Sequence, residues 1–133
     1  MKRVTGLGGV LFKTKDPHAI KQWYETHLGM KMDEWGFAFR WIDPDQPHAP
    51  ALASTAWSPF PMDTTYFAPG NQSFMLNYRV ANLEALLAAL KAEGVEVVGD
   101  MQEYPYGKFG WIMDPEGNKI ELWEPKDEGF ENI

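Results

Sequence analysis

The fold is decided by the stretch Phe109-Gly110-Trp111-Ile112-Met113-Asp114-Pro115-Glu116-Gly117-Asn118-Lys119-Ile120-Glu121-Leu122-Trp123-Glu124-Pro125. It joins two aromatic-rich apolar runs through a central Asp-Pro-Glu-Gly-Asn segment, whose residue types favour a tight reversal of the chain. Side chains alternate along a strand, so Ile120 and Leu122 share one face while Glu121 and Trp123 share the other. We therefore predict a hairpin with one face against a helix and the opposite face carrying Glu121.

The first half of the chain contains a related pattern. Residues 39–45 resemble residues 109–116, with Phe-x-Trp-Ile ahead of Asp-Pro in both. Farther along, residues 54–59 line up with residues 120–125, which matches Thr55 to Glu121 and Trp57 to Trp123. Repetition at a fixed spacing is the mark of a duplicated structural unit. We therefore predict two related modules.

Each half also contains a predicted helix with defined ends. Asp16 and Pro17 are residue types that begin helices, and Gly29 is one that ends them, which predicts a helix over about 16–28. Asn82 and Gly94 bound a second helix over about 82–93 in the same way. The apolar positions recur at helical spacing in both: Ile20, Trp23, Tyr24 and Leu28 in the first, and Leu83, Leu86, Leu87 and Leu90 in the second.

Strands are predicted around both helices, at about 5–13, 31–35, 37–42 and 51–57, and then at about 73–80, 96–104, 108–113 and 119–124. The fold class is therefore α+β, with two tandem β-α-β-β-β modules in a single domain, 1–133. The module boundaries are about 4–58 and about 73–125, with a linker at 59–72 and a polar tail at 126–133. Because each module leaves open sheet edges, we expect the two to pair.

Composition excludes several classes of function. Twelve Lys and Arg against nineteen Asp and Glu give a net charge of −7, which argues against nucleic acid as a partner. The absence of cysteine excludes disulfides, thiolate metal ligands and a cysteine nucleophile. No apolar run approaches the roughly 20 residues of a membrane span, and the first residues do not resemble a signal peptide. We expect no membrane partner and a cytoplasmic location.

The motifs of this chain resemble those of the vicinal oxygen chelate superfamily, which includes glyoxalase I, extradiol dioxygenases and bleomycin-resistance proteins. The likeness rests on residues 12–17, 23–30 and 106–125, and covers about 5–125. It implies that each module curls into a half-open curved sheet, and that two modules together enclose a small-molecule cavity.

The resemblance also defines where a metal would bind. Metal-dependent members hold a divalent ion with four His or Glu side chains, one from the first and one from the last strand of each module. The matching positions in this chain are Gly9, Thr55, Met75 and Glu121. Only Glu121 has a side chain suited to such an ion.

The histidines do not complete that site. His18 lies in the first turn of a predicted helix, and His27 lies on the flank of that helix, where packing is the favoured role. His48 lies in a Pro-rich segment between strands. We therefore predict no metal and no other cofactor.

Strand alternation provides a set of candidate ligand-binding residues: Phe39, Trp41, Trp57, Met75, Asn77, Phe109, Trp111 and Trp123. Glu121 is predicted as the catalytic residue, either a general base or the anchor of a cation, in an apolar concavity beside Trp123. The alternative is a carboxylate with a structural partner. Asn77 and Arg79, polar residues on a central strand, either point into a wet pocket or need buried partners.

The leading hypothesis is a metal-free protein that binds a small aromatic or cationic organic molecule, as bleomycin-resistance proteins do in the family it resembles. One alternative is a metal-dependent lyase, isomerase or dioxygenase whose noncanonical site combines Glu121 with His48, Asp43 or Asp45. Another is a non-catalytic dimerising module. Whether the chain is an enzyme stays open at this point. We expect a homodimer, because open module edges favour association.

Overall fold

A computed structural model describes residues 2–44 and 52–126. The two helices are α1, Pro17–Leu28, and α2, Leu83–Ala92. The strands are β1, Val4–Thr14; β2, Phe37–Ile42; β3, Leu52–Pro61; β4, Phe74–Val80; β5, Gln102–Tyr104; β6, Gly107–Met113; and β7, Lys119–Pro125.

The strands form one curved, unclosed sheet of seven in the order β2-β3-β1-β4-β7-β6-β5. Within each half, the first strand pairs with the last strand in parallel, β1 with β3 and β4 with β7. The two halves join edge to edge, because β1 pairs with β4 antiparallel. The α+β class and the resemblance in fold are confirmed, and the modules pair within one chain.

Both helices begin as the sequence predicts. The carboxylate of Asp16 accepts a hydrogen bond from the Ala19 backbone N–H at 3.0 Å, and the Asn82 side chain accepts one from Ala85 at 3.1 Å. These side chains satisfy backbone donors that a helix N-terminus leaves unpaired. Gly29, with φ 69°, adopts the left-handed conformation that ends α1.

Two predicted strands are wrong in extent. The 31–35 strand is absent, because the chain turns back on itself there and forms only the bridge between Asp33 and Gly36. Gly36 has φ 140°, and a Cβ on it would lie 2.1 Å from the carbonyl oxygen of Trp57. The 96–104 strand shrinks to β5, since the left-handed Gly99 interrupts it. Conversely, β3 continues to Pro61 and takes in the first residues of the predicted linker.

The helices pack on one face of the sheet, called the outer face below. Under α2 the buried core consists of Val80, Leu83, Leu86 and Leu122. The opposite, inner face has a second cluster formed by Leu11, Phe67 and Met75, in which Phe67 comes from the segment between the modules. The longest helix, α1, has 12 residues, so no helix of the described chain has the length and apolarity to span a membrane.

Candidate functional site

Strand register brings three predicted site residues together on the inner face. Asn77 on β4 lies opposite Glu121 on β7, and Trp111 on β6 lies opposite Glu121 from the other side. Because Ile120 and Leu122 belong to the core under α2, Glu121 points away from the helices. The predicted division of β7 into an apolar face and a polar-aromatic face is therefore correct.

The Glu121 carboxylate accepts three hydrogen bonds from protein side chains. The Asn77 amide donates to Oε1 at 2.7 Å, the Trp111 indole donates to Oε2 at 2.9 Å, and the Tyr66 hydroxyl also donates to Oε2. Glu121 is only 3% exposed. A buried carboxylate is expensive unless such donors satisfy it. Its three donors, a hydroxyl, an amide and an indole, are all neutral groups.

Tyr66 is held as a hydrogen-bond donor. Burial raises its pKa, and the nearby negative charge of Glu121 and the hydrogen bond to Glu121 raise it further. The phenol therefore stays protonated under ordinary conditions. Tyr66 lies in the predicted linker and was not a sequence candidate, since an isolated aromatic residue among prolines does not reveal that it folds back onto the sheet.

Lys119 lies two residues before Glu121, on the same face of β7. Its ammonium donates to the Tyr66 carbonyl oxygen at 2.8 Å and lies 5.3 Å and 5.5 Å from the ring centres of Tyr66 and Trp111. Burial lowers the pKa of Lys119, and the charge of Glu121 opposes that effect. The sequence candidates omitted Lys119, although its i, i+2 relation to Glu121 was a usable signal.

Arg79 joins the two modules on the inner face. Its guanidinium group lies between two rings, 5.4 Å from the centre of Trp41 and 5.2 Å from that of Trp123. It also donates to the Ser54 carbonyl oxygen at 3.2 Å, and the side chain is fully buried. The faces of these two tryptophans are thus used by a cation of the protein itself.

Glycines on β1 make room for this arrangement. A Cβ on Gly6 would lie 2.6 Å from the Trp41 ring, and one on Gly8 would lie 2.0 Å from the Asn77 side-chain oxygen. Close approach of neighbouring groups is a common reason for glycine inside a strand.

Aromatic side chains continue from the buried site to the surface. Phe109 stacks on Trp123 with ring centres 5.8 Å apart, and Tyr104 stacks on Tyr106 at 5.5 Å. Tyr104 and Tyr106 are 43% and 41% exposed, and both contact the edge of Phe109. Burial, followed by the charges of Tyr104 and Glu121, raises the pKa of Tyr106. The term aromatic rim is used below for five rings: Tyr104, Tyr106 and Phe109, together with half-buried Tyr66 and Trp111.

Two predicted ligand-binding residues lie elsewhere. Phe39 is 48% exposed on strand β2 and contacts Phe37 edge to face. Trp57 packs on the outer face, with ring centres 4.9 Å from Phe12 and 4.6 Å from Tyr24 of α1. Met75 reaches the inner face, but packs in the apolar cluster with Leu11 and Phe67.

The misplacement of Trp57 has a register cause. The matching caps Asp16 and Asn82 relate the modules by 66 residues, which makes Leu11 the counterpart of Asn77. Leu11 lies beside Ser58, whereas Asn77 lies beside Glu121, so Ser58 rather than Thr55 corresponds to Glu121. The correction is three residues, and an odd shift moves every side chain to the other face of a strand.

The residues at the family metal positions do not fit a metal ion. Gly9 has no side chain, Met75 is buried among apolar groups, and Ser58 or Thr55 offers a neutral hydroxyl. The oxygens of Glu121 already face three hydrogen-bond donors, which a metal ion would have to displace. Among residues 2–44 and 52–126, no three His, Cys, Asp or Glu side chains form a group that could hold a metal.

The noncanonical metal site also lacks support within the described chain. His48 and Asp45 lie outside the described residues, and Asp43, which directly follows β2, is buried. His18 and His27 are exposed on α1, with the His27 ring 4.9 Å from that of Trp23. The packing role predicted for His27 is thus limited to this surface contact.

Comparison with known structures supports the fold. The chain resembles methylmalonyl-CoA epimerase from Mycobacterium tuberculosis, with 23% identity, TM-score 0.62, and coverage of 96% of this chain and 92% of that one. A Streptomyces coelicolor methylmalonyl-CoA epimerase in complex with 2-nitronate-propionyl-CoA matches at 14% identity and TM-score 0.67, covering 92% and 96%. The Mn(II)-bound glyoxalase from Novosphingobium aromaticivorans matches with 19% identity and a TM-score of 0.59, and the match covers 93% of this chain and 40% of that one. Such identities show a shared fold.

Sequence comparison identifies the family. No curated protein matches the chain significantly. The sequence model of the Glyoxalase/Bleomycin resistance protein/Dioxygenase superfamily, however, matches residues 6–122, which takes in both modules and Glu121. The match and the fold agree with the resemblance found in the motifs, and the chain therefore belongs to this superfamily.

Proposed function

We propose that this protein binds a small, flat organic molecule against the aromatic rim, without a metal ion. The observation that carries the proposal is the state of Glu121, whose oxygens accept hydrogen bonds from Tyr66, Asn77 and Trp111. Glu121 is the only residue at the four family metal positions with a side chain suited to a metal ion, and its oxygens are hydrogen-bonded to other side chains of the protein. The half-buried and exposed rings around it supply contact area instead.

A flat ligand is favoured over the cationic one. Arg79 already lies against Trp41 and Trp123, and Lys119 lies against Tyr66 and Trp111. A cationic ligand would have to approach rings that cations of the protein use. Tyr104 and Tyr106, which stack on each other and are 43% and 41% exposed, present ring surface to solvent, which suits stacking.

Calorimetry with neutral planar compounds such as benzamide, indole and quinoline, in the presence of EDTA, tests the proposal. We expect binding that EDTA leaves unchanged, and that Tyr106→Ala weakens by about 2- to 10-fold, since one aromatic contact contributes about 0.5–1.5 kcal/mol. Phe39→Ala is the matched control, because Phe39 has similar exposure but lies on β2. Its affinity should equal that of the wild type.

Three results would contradict the proposal. Binding of no planar compound removes it, and equal losses in Tyr106→Ala and Phe39→Ala place the ligand elsewhere. Stoichiometric Mn, Ni, Zn or Fe in protein purified without chelator, with binding that depends on it, favours the metal-dependent enzyme instead. Catalysis by Glu121 stays a prediction. A substrate that uses Glu121 as a base would have to displace at least one of its three donors.

Association of two copies also stays a prediction. Strand β2 lies at one edge of the sheet, and Ile42 on it is 71% exposed. An apolar edge strand favours pairing with another chain.

A further inference from the structure

Lys119 is a buried residue whose ammonium has one hydrogen-bond acceptor in the described chain. Lys119 is 9% exposed, and Nζ donates to the carbonyl oxygen of Tyr66 at 2.8 Å. Within residues 2–44 and 52–126, that oxygen is its only hydrogen-bond acceptor. An ammonium has three N–H donors, and burying a charge costs free energy unless those donors are satisfied.

Glu121 does not fill this deficit. Tyr66 and Trp111 lie between the two charges, with their hydroxyl and indole N–H directed at the carboxylate and their ring faces toward the ammonium. The carboxylate oxygens are occupied by donors, and Lys119 forms no ion pair with Glu121 in the described chain. The inner face therefore holds an anion with three donors beside a cation that has two ring faces but a single hydrogen-bond acceptor.

We propose that Lys119 anchors an acidic oxygen of a ligand that lies at the Tyr66–Trp111 end of the aromatic rim, so that the bound molecule is a flat organic carboxylate rather than a neutral or cationic compound. The proposal rests on the binding function proposed above and names its chemical class. An ammonium attracts an oxygen anion without a metal, and a charge-assisted hydrogen bond is stronger than a neutral one. In this chain the residues at the family metal positions do not fit a metal ion. Lys119 would supply the positive charge instead.

Three planar probes of nearly equal shape separate the charge of the ligand from its shape: benzoate, benzamide and benzamidinium. With wild-type protein at pH 7 in EDTA, we expect benzoate to bind at least about tenfold more tightly than benzamide, and benzamidinium to bind most weakly, because a hydrogen bond to a charged group contributes about 1.5–3 kcal/mol. Calorimetry measures all three constants.

Variants assign the preference to one residue. Lys119→Met keeps an unbranched side chain of similar length and should bind benzoate and benzamide equally, while Lys119→Arg should retain the preference. Lys108→Met is the matched control, since Lys108 lies on the neighbouring strand β6 but pairs with Glu84. That control should keep the wild-type ranking.

The outcomes separate this proposal from the previous one. Equal binding of benzoate and benzamide by the wild type, or tightest binding of benzamidinium, overturns the role of Lys119 while planar binding survives. A benzoate preference that persists in Lys119→Met places the anchor on another residue and also overturns it. If neither the three probes nor any compound of the neutral panel binds, the proposed function itself is contradicted.

Discussion

The two modules share a topology but differ in what they bury. Helix α2 buries Leu83 and Leu86, which are 0% and 3% exposed, whereas α1 has no buried residue. On the inner face, the position of Glu121 in the second module is taken by Ser58 in the first. The second module thus has the better buried helix and, on the inner face, the buried carboxylate of Glu121.

This difference indicates that the modules have separate physical tasks. The apolar core under α2 lies directly behind β4 and β7, the strands that present Asn77 and Glu121. A tightly packed support holds polar side chains in fixed positions, which a buried carboxylate requires. The first module contributes Trp41 and the Ser54 carbonyl to the surroundings of Arg79. It completes a site that the second module builds.

The largest expected effect concerns the two helices. Leu83→Ala should lower the free energy of unfolding by about 2–5 kcal/mol, because it opens a cavity in a fully buried cluster. Leu28→Ala, the same change at a 58% exposed position of α1, should stay within about 0.5 kcal/mol. Urea denaturation followed by circular dichroism measures both. Similar losses would show that α1 is packed as tightly as α2.

Local signals in the sequence predicted the helices well, because their ends depend on neighbouring residues. The side chains of Asp16 and Asn82 accept hydrogen bonds from the first turn of their helices, and Gly29, which has no side chain, adopts the left-handed conformation that ends α1. The position of Glu121 on the inner face also followed from alternation along a single strand.

Relations between strands were harder to predict. The match of Trp57 to Trp123 depended on an alignment of motifs, and the pairing of β3 with β1 shifted it by an odd number of residues. Tyr66 was missed for a related reason, since its role depends on a linker that crosses the inner face to reach Glu121. Register and chain reversal are tertiary properties, which short motifs constrain only weakly.

A middle-sized effect is expected at the corresponding inner-face positions. Glu121→Gln should cost about 1–3 kcal/mol, because the amide has one acceptor oxygen and directs an N–H₂ group at one set of donors. Either Asn77, or Tyr66 with Trp111, then loses its acceptor. Ser58→Ala is the counterpart in the first module and should change stability by less than about 0.5 kcal/mol. Equal costs in urea denaturation would mean that the three hydrogen bonds contribute little.

The smallest expected effect is a pH dependence of the free energy of unfolding, caused by Tyr66, the linker residue that donates a hydrogen bond to Glu121 of the second module. Its pKa is raised in the folded protein from an ordinary value of 10.0, mainly by burial. Above pH 10 the unfolded chain therefore releases a proton that the folded chain keeps, and stability falls as pH rises. Tyr66→Phe removes this contribution, so between pH 9 and 11 the wild type should lose about 1.4 kcal/mol more than the variant.

Lys119 makes the comparison with the variant necessary. Burial lowers its pKa, so the folded protein releases that proton before the unfolded chain does, and this contribution raises stability as pH rises. The two effects have opposite signs in the wild type, but only the contribution of Tyr66 differs between the wild type and Tyr66→Phe. The difference at pH 7 measures the lost hydroxyl alone, because the phenol is protonated in both states there. Unfolding free energies that stay parallel from pH 7 to 11 would show that Tyr66 ionises as readily in the folded chain as in the unfolded one, and that the Glu121 site is open to water.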